Sequence, residues 1–230
     1  MTDSGDAAPA PVPQPTLRSA DPADCTVLLI RHGRSADVVP GSPESADPPL
    51  HEVGERQAMQ LATRLTGMRI DGVFSSHLAR ARQTAAPLAA ARGLDVEVHR
   101  DLEEVRLGDW DRGEFRRRAA ALDPEWVAWS RTGRWDGIPG GEPDDAVRAR
   151  VAAVVDALAA RHRGGTIAVV AHGGVIGAYL AHLLGTHRSM WLTVENTSIT
   201  HVRIGPHGAT VVAANDCHHL YDTVTGAPRA

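Results

Sequence analysis

The sequence predicts a three-layer α/β/α sandwich around a mostly parallel central sheet. Two short apolar runs, residues 26–30 and 166–171, each lead into a histidine followed by glycine, at His32-Gly33 and His172-Gly173. Stretches of helical period separate and follow them. The chain then closes on two further strand-like runs joined by Gly205-Pro206-His207-Gly208, a terminal hairpin. Apolar runs too short for a helix and lacking polar positions are strands covered on both faces, as central parallel strands are. Ligands in such sheets bind beyond the carboxyl ends of the strands, where Arg31, His32 and His172 would stand. The two histidine-bearing strands are therefore expected to be neighbours near the centre, with both imidazoles facing one cleft. Either histidine alone would serve as a strand-end cap of a turn.

Composition narrows the chemistry. A chain of 230 residues suits one α/β domain after a tail is subtracted. A net charge of -4 and a pI near 6.3 argue against a general nucleic-acid binder. No apolar run approaches membrane-spanning length, and the N-terminus lacks a basic segment followed by an apolar core, so a cytoplasmic protein with no membrane partner is expected. All 24 basic residues are arginine. Without lysine there is no P-loop nucleotide site, Schiff-base chemistry or serine–lysine nucleophile. Cys25 and Cys217 are too few for a disulfide framework.

Residues 1–23, rich in Ala, Pro, Asp and Ser, are expected to form a disordered tail, residues 24–222 the folded domain and residues 223–230 a C-terminal tail. After the first strand comes a Pro/Ser/Asp/Gly-rich loop, 36–50, then a helix over 53–65 and a strand over 71–75. The next helix is expected to start with Ser76 as its N-cap, to carry Arg80 in its first turns, where an anion would be favoured, and to be kinked or shortened by Pro87. A strand over 95–98 precedes Glu103-Glu104. Residues 112–135, with Arg112, Arg116, Arg117, Arg118, Trp126 and Trp129, read as short helices forming a lid, the two tryptophans packing rather than binding. Val147, Val151, Val154, Val155 and Leu158 stripe a long helix opened by Pro143 and acids. Another helix runs from about 174 to 184 and ends at Gly185. Asp216, His218 and His219 have no second ligand cluster at zinc-like spacing, so no metal site is expected.

These residues resemble, in order, the signature elements of the histidine phosphatase superfamily, the phosphoglycerate mutase-like group. The elements are Arg31-His32-Gly33-Arg34-Ser35, residues 75–84 around Arg80, then Leu102, Glu104, Gly108 and Trp110, and finally Ala171-His172-Gly173. The match runs from about residue 26 to 220. It implies that fold, with His32 as the phosphorylated nucleophile, Arg31 and Arg80 as phosphate ligands, Glu104 rather than Glu103 as proton donor and His172 as the second active-site histidine. Ser35 and Gly173 are further phosphate-binding candidates. Three positions depart from the family pattern: Val38 stands where an asparagine is frequent, Asp111-Arg112 where Glu-Gly is frequent, and Pro143 where Ser is frequent. The polar contact of that asparagine is expected either to be missing or to be replaced by Ser35.

The implied activity is hydrolysis of small anionic phosphomonoesters through a phosphohistidine, without metal or cofactor because arginines supply the positive charge. The expected partner is a small phosphorylated metabolite; a homodimer is left open. One alternative is a cofactor-dependent phosphoglycerate mutase. A catalytically idle phospholigand-binding module is the other. Residues 105–110 after the acid lack the tyrosine of the true mutases, which looks like the phosphatase branch.

Overall fold

The computed structural model describes residues 21–221. Its strands are β1 (Cys25–Arg31), β2 (Gly72–Ser76), β3 (Val96–His99), β4 (Thr166–Ala171), β5 (Ile199–Gly205) and β6 (Gly208–Asp216). The longer helices are α1 (Glu52–Arg64), α2 (Ala79–Ala90), α3 (Glu114–Ala120), α4 (Pro124–Ser130), α5 (Asp144–Arg161) and α6 (Gly173–Leu184). One sheet holds all six strands in the order β3-β2-β4-β1-β5-β6. The first four in that order run parallel, whereas β5 is antiparallel to β1 and β6 to β5. The two histidine-bearing strands are thus neighbours at the centre, as expected, with Arg31 opposite Ala171.

The alternation of β1 sorts its side chains between two layers. Val27 and Leu29 join Val151, Val155, Ile176 and Leu180 of α5 and α6 on one face. Leu28 and Ile30 join Leu61, Leu88 and Ala85 of α1 and α2 on the other. A fully buried side chain of this size contributes about 1.5–3 kcal/mol, so a strand buried on both faces is the most firmly held part of the backbone. The expected stripe on α5 is buried throughout.

Several local expectations change. The helix after β2 begins at Ala79, its cap position is Leu78 with no capping side chain of its own, and Ser76 Oγ accepts from Leu78 N instead. The reason is distant in sequence: both carboxylate oxygens of Asp47, on the loop after β1, accept from Ala79 N at 2.9 and 3.1 Å. The carboxylate of Asp47 therefore takes the helix-terminal anion position that the sequence suggested for a ligand. Pro87 does not shorten the helix, which runs on to Ala90. Pro143 is the N-cap of α5, one place before its first turn. Of the tail expected over residues 1–23, residues 21–23 are described, and there Ala23 N donates to Asp21 Oδ1 at 2.8 Å. The rest of that tail, residues 1–20, and the C-terminal tail over 223–230 lie outside the described residues. Among the described residues no helix is long and apolar enough to cross a membrane.

Candidate active site

His32 leaves the carboxyl end of β1 with its backbone held on both sides. Its N–H donates to Ala171 O of β4 at 3.0 Å, and its carbonyl accepts from Asn196 Nδ2 at 2.8 Å. Thr197 N donates to Arg31 O at 2.9 Å while Thr197 itself sits at φ 52°, a left-handed conformation strained for a β-branched residue. β5 starts two residues further on, at Ile199. Gly33 N donates to Thr84 Oγ1 at 2.9 Å. A Cβ at Gly33 would meet Gly54 O at 2.7 Å, so the turn after the histidine requires glycine for close approach to α1.

His32 and His172 converge, their ring centroids 5.0 Å apart. The carbonyl of Gly33 lies 2.7 Å from His32 Nδ1, which sets that nitrogen as the N–H donor and leaves a lone pair on Nε2. Arg80 Nε donates to that Nε2 at 3.3 Å. Burial, then Arg80 and Arg31, push the His32 pKa well below the ordinary histidine value, so its imidazole is neutral. Burial and then His32, Arg80 and Arg31 do the same to His172. Both ring nitrogens of His172 are buried without a hydrogen-bond partner among the described residues, as is Arg31 Nε. Arg31 Nη1 donates to Val194 O. Burial lowers Arg31 and Arg80 too, opposed first in each by the negative charge of Glu104. Arg80 also faces Asp47, Nη1 to Oδ1 3.6 Å.

Glu104 approaches from the opposite wall. Its Oε1 accepts from Val105 N at 3.0 Å and its Oε2 from Gly174 N, in the first turn of α6, at 3.5 Å. A Cβ at Gly174 would meet Glu104 Oε1 at 2.7 Å, so the second glycine after His172 makes room for the carboxylate. Gly173, the first residue of α6, lies against Arg31. Glu103 lines the same cleft but is engaged at its rim, with His77 at 3.7 Å and Arg106 at 3.5 Å.

The expected lid region forms the outer wall of a cleft of about 540 Å³. Trp110, Phe115 and Trp135 line it, while Trp129 is buried behind them with Nε1 donating to Asp136 O at 3.0 Å. Trp126 packs on the same cluster, so neither Trp126 nor Trp129 lines the cleft. Of the three consecutive arginines, Arg117 and Arg118 pair with Glu114. Arg116 alone among them lines the cleft, donating to Ser35 Oγ at 2.8 Å and Ala36 O at 2.9 Å. Ser35, the candidate to stand in for the missing asparagine, is thus engaged by Arg116, and Val38 lies against Gly113 of the lid. Arg112 adopts φ 53° at the position where the family pattern has glycine, so the turn keeps a glycine-like backbone with an arginine in it.

Sequence reasoning missed Asn196 and Asp47, which lie in irregular segments and carry no periodic signal. It also missed Arg150 and Glu142. Arg150 did leave a trace: it lies three residues after Val147, on the apolar stripe of α5, where a charge is out of place. Asp216, His218 and His219 do not gather. Asp216 pairs with Arg64 at 3.3 Å and His219 Nε2 lies 3.1 Å from Thr197 Oγ1. Among the described residues no group of three or more His, Cys, Asp or Glu is placed to hold a metal ion.

Two neutral imidazoles, two buried guanidinium groups and a facing carboxylate suit a phosphoryl group: donors for its oxygens, an unprotonated nitrogen to attack it and an acid for the departing oxygen. Comparison with known proteins agrees. The sequence profile of the histidine phosphatase superfamily (branch 1) matches residues 27–217, and the chain belongs to that superfamily. A protein of Shigella boydii named probable phosphoglycerate mutase is 32% identical over 206 residues, covering 84% of this chain and 94% of the relative. The crystal structure of the alpha-ribazole phosphatase from Shigella flexneri superposes with a TM-score of 0.68 at 29% identity, over 83% of this chain and 96% of the other. The mycobacterial glucosyl-3-phosphoglycerate phosphatase, crystallised with VO3, gives 0.70 at 29% identity, over 83% and 98%. The superfamily and these neighbours indicate a phosphatase or mutase type of enzyme.

Proposed function

We propose that the protein hydrolyses small anionic phosphomonoesters through a phosphohistidine on His32. The observation that carries this reading is the tautomer of His32: Nδ1 is committed to Gly33 O, so the lone pair of Nε2 faces the cleft beside Arg80. In the first half-reaction Nε2 attacks phosphorus in line. Arg80 turns its N–H from Nε2 to a phosphoryl oxygen, with Arg31 and the orphaned nitrogens of His172 holding the others. The ester oxygen departs with a proton from Glu104. In the second, the Glu104 carboxylate takes a proton from water, the water oxygen bonds to phosphorus, and the N–P bond breaks to restore neutral His32. No step calls for a metal ion, so chelators should leave turnover unchanged.

Arg116 favours substrates with a second negative charge. It lines the cleft, Ser35 Oγ and Ala36 O each take one N–H from its two Nη groups, and the N–H groups left over would meet a carboxylate or second phosphate. The aromatic wall opposite would take the apolar part of the substrate.

The relatives named as phosphoglycerate mutases give a second reading, return of the phosphoryl group to another hydroxyl. Incubation with 3-phosphoglycerate and a trace of 2,3-bisphosphoglycerate decides between them. Release of inorganic phosphate supports hydrolysis; rapid conversion to 2-phosphoglycerate without it replaces hydrolysis by the mutase reaction.

A further inference from the structure

We propose that Arg150, backed by Glu142, is the positioning residue that holds the proton donor over the phosphoryl site; this rests on the reading of Glu104 as that donor. Glu104 lies in a segment with neither helix nor strand from residue 103 to 107, following one short turn over Arg100–Leu102. A carboxyl group on such a segment is placed only as well as its supports.

One side chain gathers that segment. From α5, Arg150 Nη1 donates to Asp101 O at 2.8 Å and to Glu103 O at 3.0 Å, and Nη2 donates to Glu104 O at 3.4 Å. The other two N–H groups go to Glu142, Nε to Oε1 at 2.7 Å and Nη2 to Oε2 at 2.8 Å. All five guanidinium donors are used, three of them on the backbone around the acid. Glu142 is fixed in turn. Its side chain is 2% exposed, its carboxylate also accepts from Arg106 N at 3.3 Å and Arg106 Nη2 at 3.2 Å, and its own N–H donates to Arg106 O at 2.8 Å. The segment on both sides of Glu104 is therefore bound to one buried ion pair. Arg150 belongs to α5, which packs beside β1 and α6, and Glu142 lies just before its N-cap, so the acid is referenced to the elements that carry the two histidines.

A lysine could keep the charge opposite Glu142, but its compact ammonium has three donors and no planar fork. The arrangement thus separates two roles: neutralising Glu142, which lysine retains, and spanning three carbonyls, which it loses.

The test measures kcat/KM for Arg150→Lys, Glu142→Gln, Glu104→Gln and the Arg150→Lys/Glu104→Gln double variant, on an alkyl phosphomonoester and on p-nitrophenyl phosphate. Circular dichroism and thermal melts confirm that each is folded at the assay temperature. Only the alkyl substrate needs its leaving oxygen protonated. Arg150→Lys should lose roughly 10- to 100-fold on the alkyl ester and less than about threefold on the aryl ester, since general acids contribute on the order of a hundredfold or more. Glu142→Gln should show the same pattern more weakly, and it carries the test if Arg150→Lys does not fold. In the double variant, the alkyl rate should be no lower than in Glu104→Gln alone, because an absent acid needs no positioning. Equal losses on both substrates from Arg150→Lys, or losses that multiply in the double variant, overturn the proposal and leave a purely structural ion pair. If Glu104→Gln itself shows no dependence on leaving group, the proton-donor reading fails first and the proposal falls with it.

Discussion

His32 and His172 hang from the ends of β1 and β4, whose mutual hydrogen bonds and two-sided burial fix them. Glu104 and Arg116 reach the same cleft from a loop and a seven-residue helix, the carboxylate held by the backbone N–H groups of Val105 and Gly174 and the guanidinium by Ser35 Oγ and Ala36 O. The side proposed to be nucleophilic is thus specified by a strand pattern that occurs twice in the sequence. The side proposed to protonate and to select the substrate depends on Arg150 and Arg116 reaching across the fold.

The largest effect should come from the sheet side. His32→Ala should abolish turnover and eliminate the acid-labile, base-stable phosphoenzyme, as read by rapid-quench labelling with a radiolabelled substrate. Trapped phosphate on His172 of the wild type, and none on His32, would reverse the two roles.

On the loop side the losses should be selective. Glu104→Gln should lower kcat on poor leaving groups by about a hundredfold to ten-thousandfold, and far less on activated aryl phosphates. Equal losses would make Glu104 structural and shift the test to Glu103. Arg116→Ala should cost roughly 10- to 100-fold in kcat/KM for a substrate bearing a carboxylate or second phosphate, the equivalent of about 1.5–3 kcal/mol for a charge-assisted hydrogen bond. A substrate whose only charge is its phosphoryl group should be nearly indifferent; equal sensitivity would place Arg116 at the phosphoryl group itself.

The buried histidines also tie stability to pH. Their folded pKa values lie below the unfolded value, so the unfolded chain binds protons more tightly. The stability they contribute is complete above about pH 6.5 and falls as the pH drops below it. Each should add a slope of up to about 1.4 kcal/mol per pH unit in that window. His32→Asn should remove about half of it in urea titrations taken across the range. An unchanged slope would show that His32 is already protonated in the folded enzyme.

The smallest effect concerns backbone alone. Arg112→Gly should relieve the left-handed strain and raise the melting temperature by roughly 2–4 °C, for a gain of order 1 kcal/mol. A drop would mean that the contacts of the Arg112 side chain outweigh the strain.

The contrast between the two sides also explains what could be read from residues alone. Strand runs such as residues 166–171 announce burial and position through a local pattern, and the histidines follow from where the runs stop. The stripe on α5 was legible for the same reason. The N-terminus of α2 was not, because its cap is Asp47, more than thirty residues away, and no local rule names a cap supplied by another loop. Arg116 could be counted as a candidate but not separated from Arg117 and Arg118 until Glu114 was seen to claim those two. Arg150 stood out on the apolar stripe of α5, but its partner Glu142 lies before the helix at a spacing of eight, which no local pairing rule names.

The strand order carries a consequence for how the enzyme comes into being. β1 is made early, yet its sheet neighbours, β4 and β5, lie in the last third of the chain, and β2 can pair only with β3 until β4 fills the gap beside it. A nascent chain that has not yet emerged past Ala171 holds a hydrophobic strand with no neighbour and a nucleophile with no pocket. Arrival of β4 joins the two halves of the sheet and brings the second histidine to the first in the same event. The pairing of the two histidines is therefore gained late in synthesis, the contacts of Asn196 and Thr197 with His32 and Arg31 later still, and a ribosome that stalls before Ala171 leaves a chain that can neither complete its sheet nor assemble the cleft.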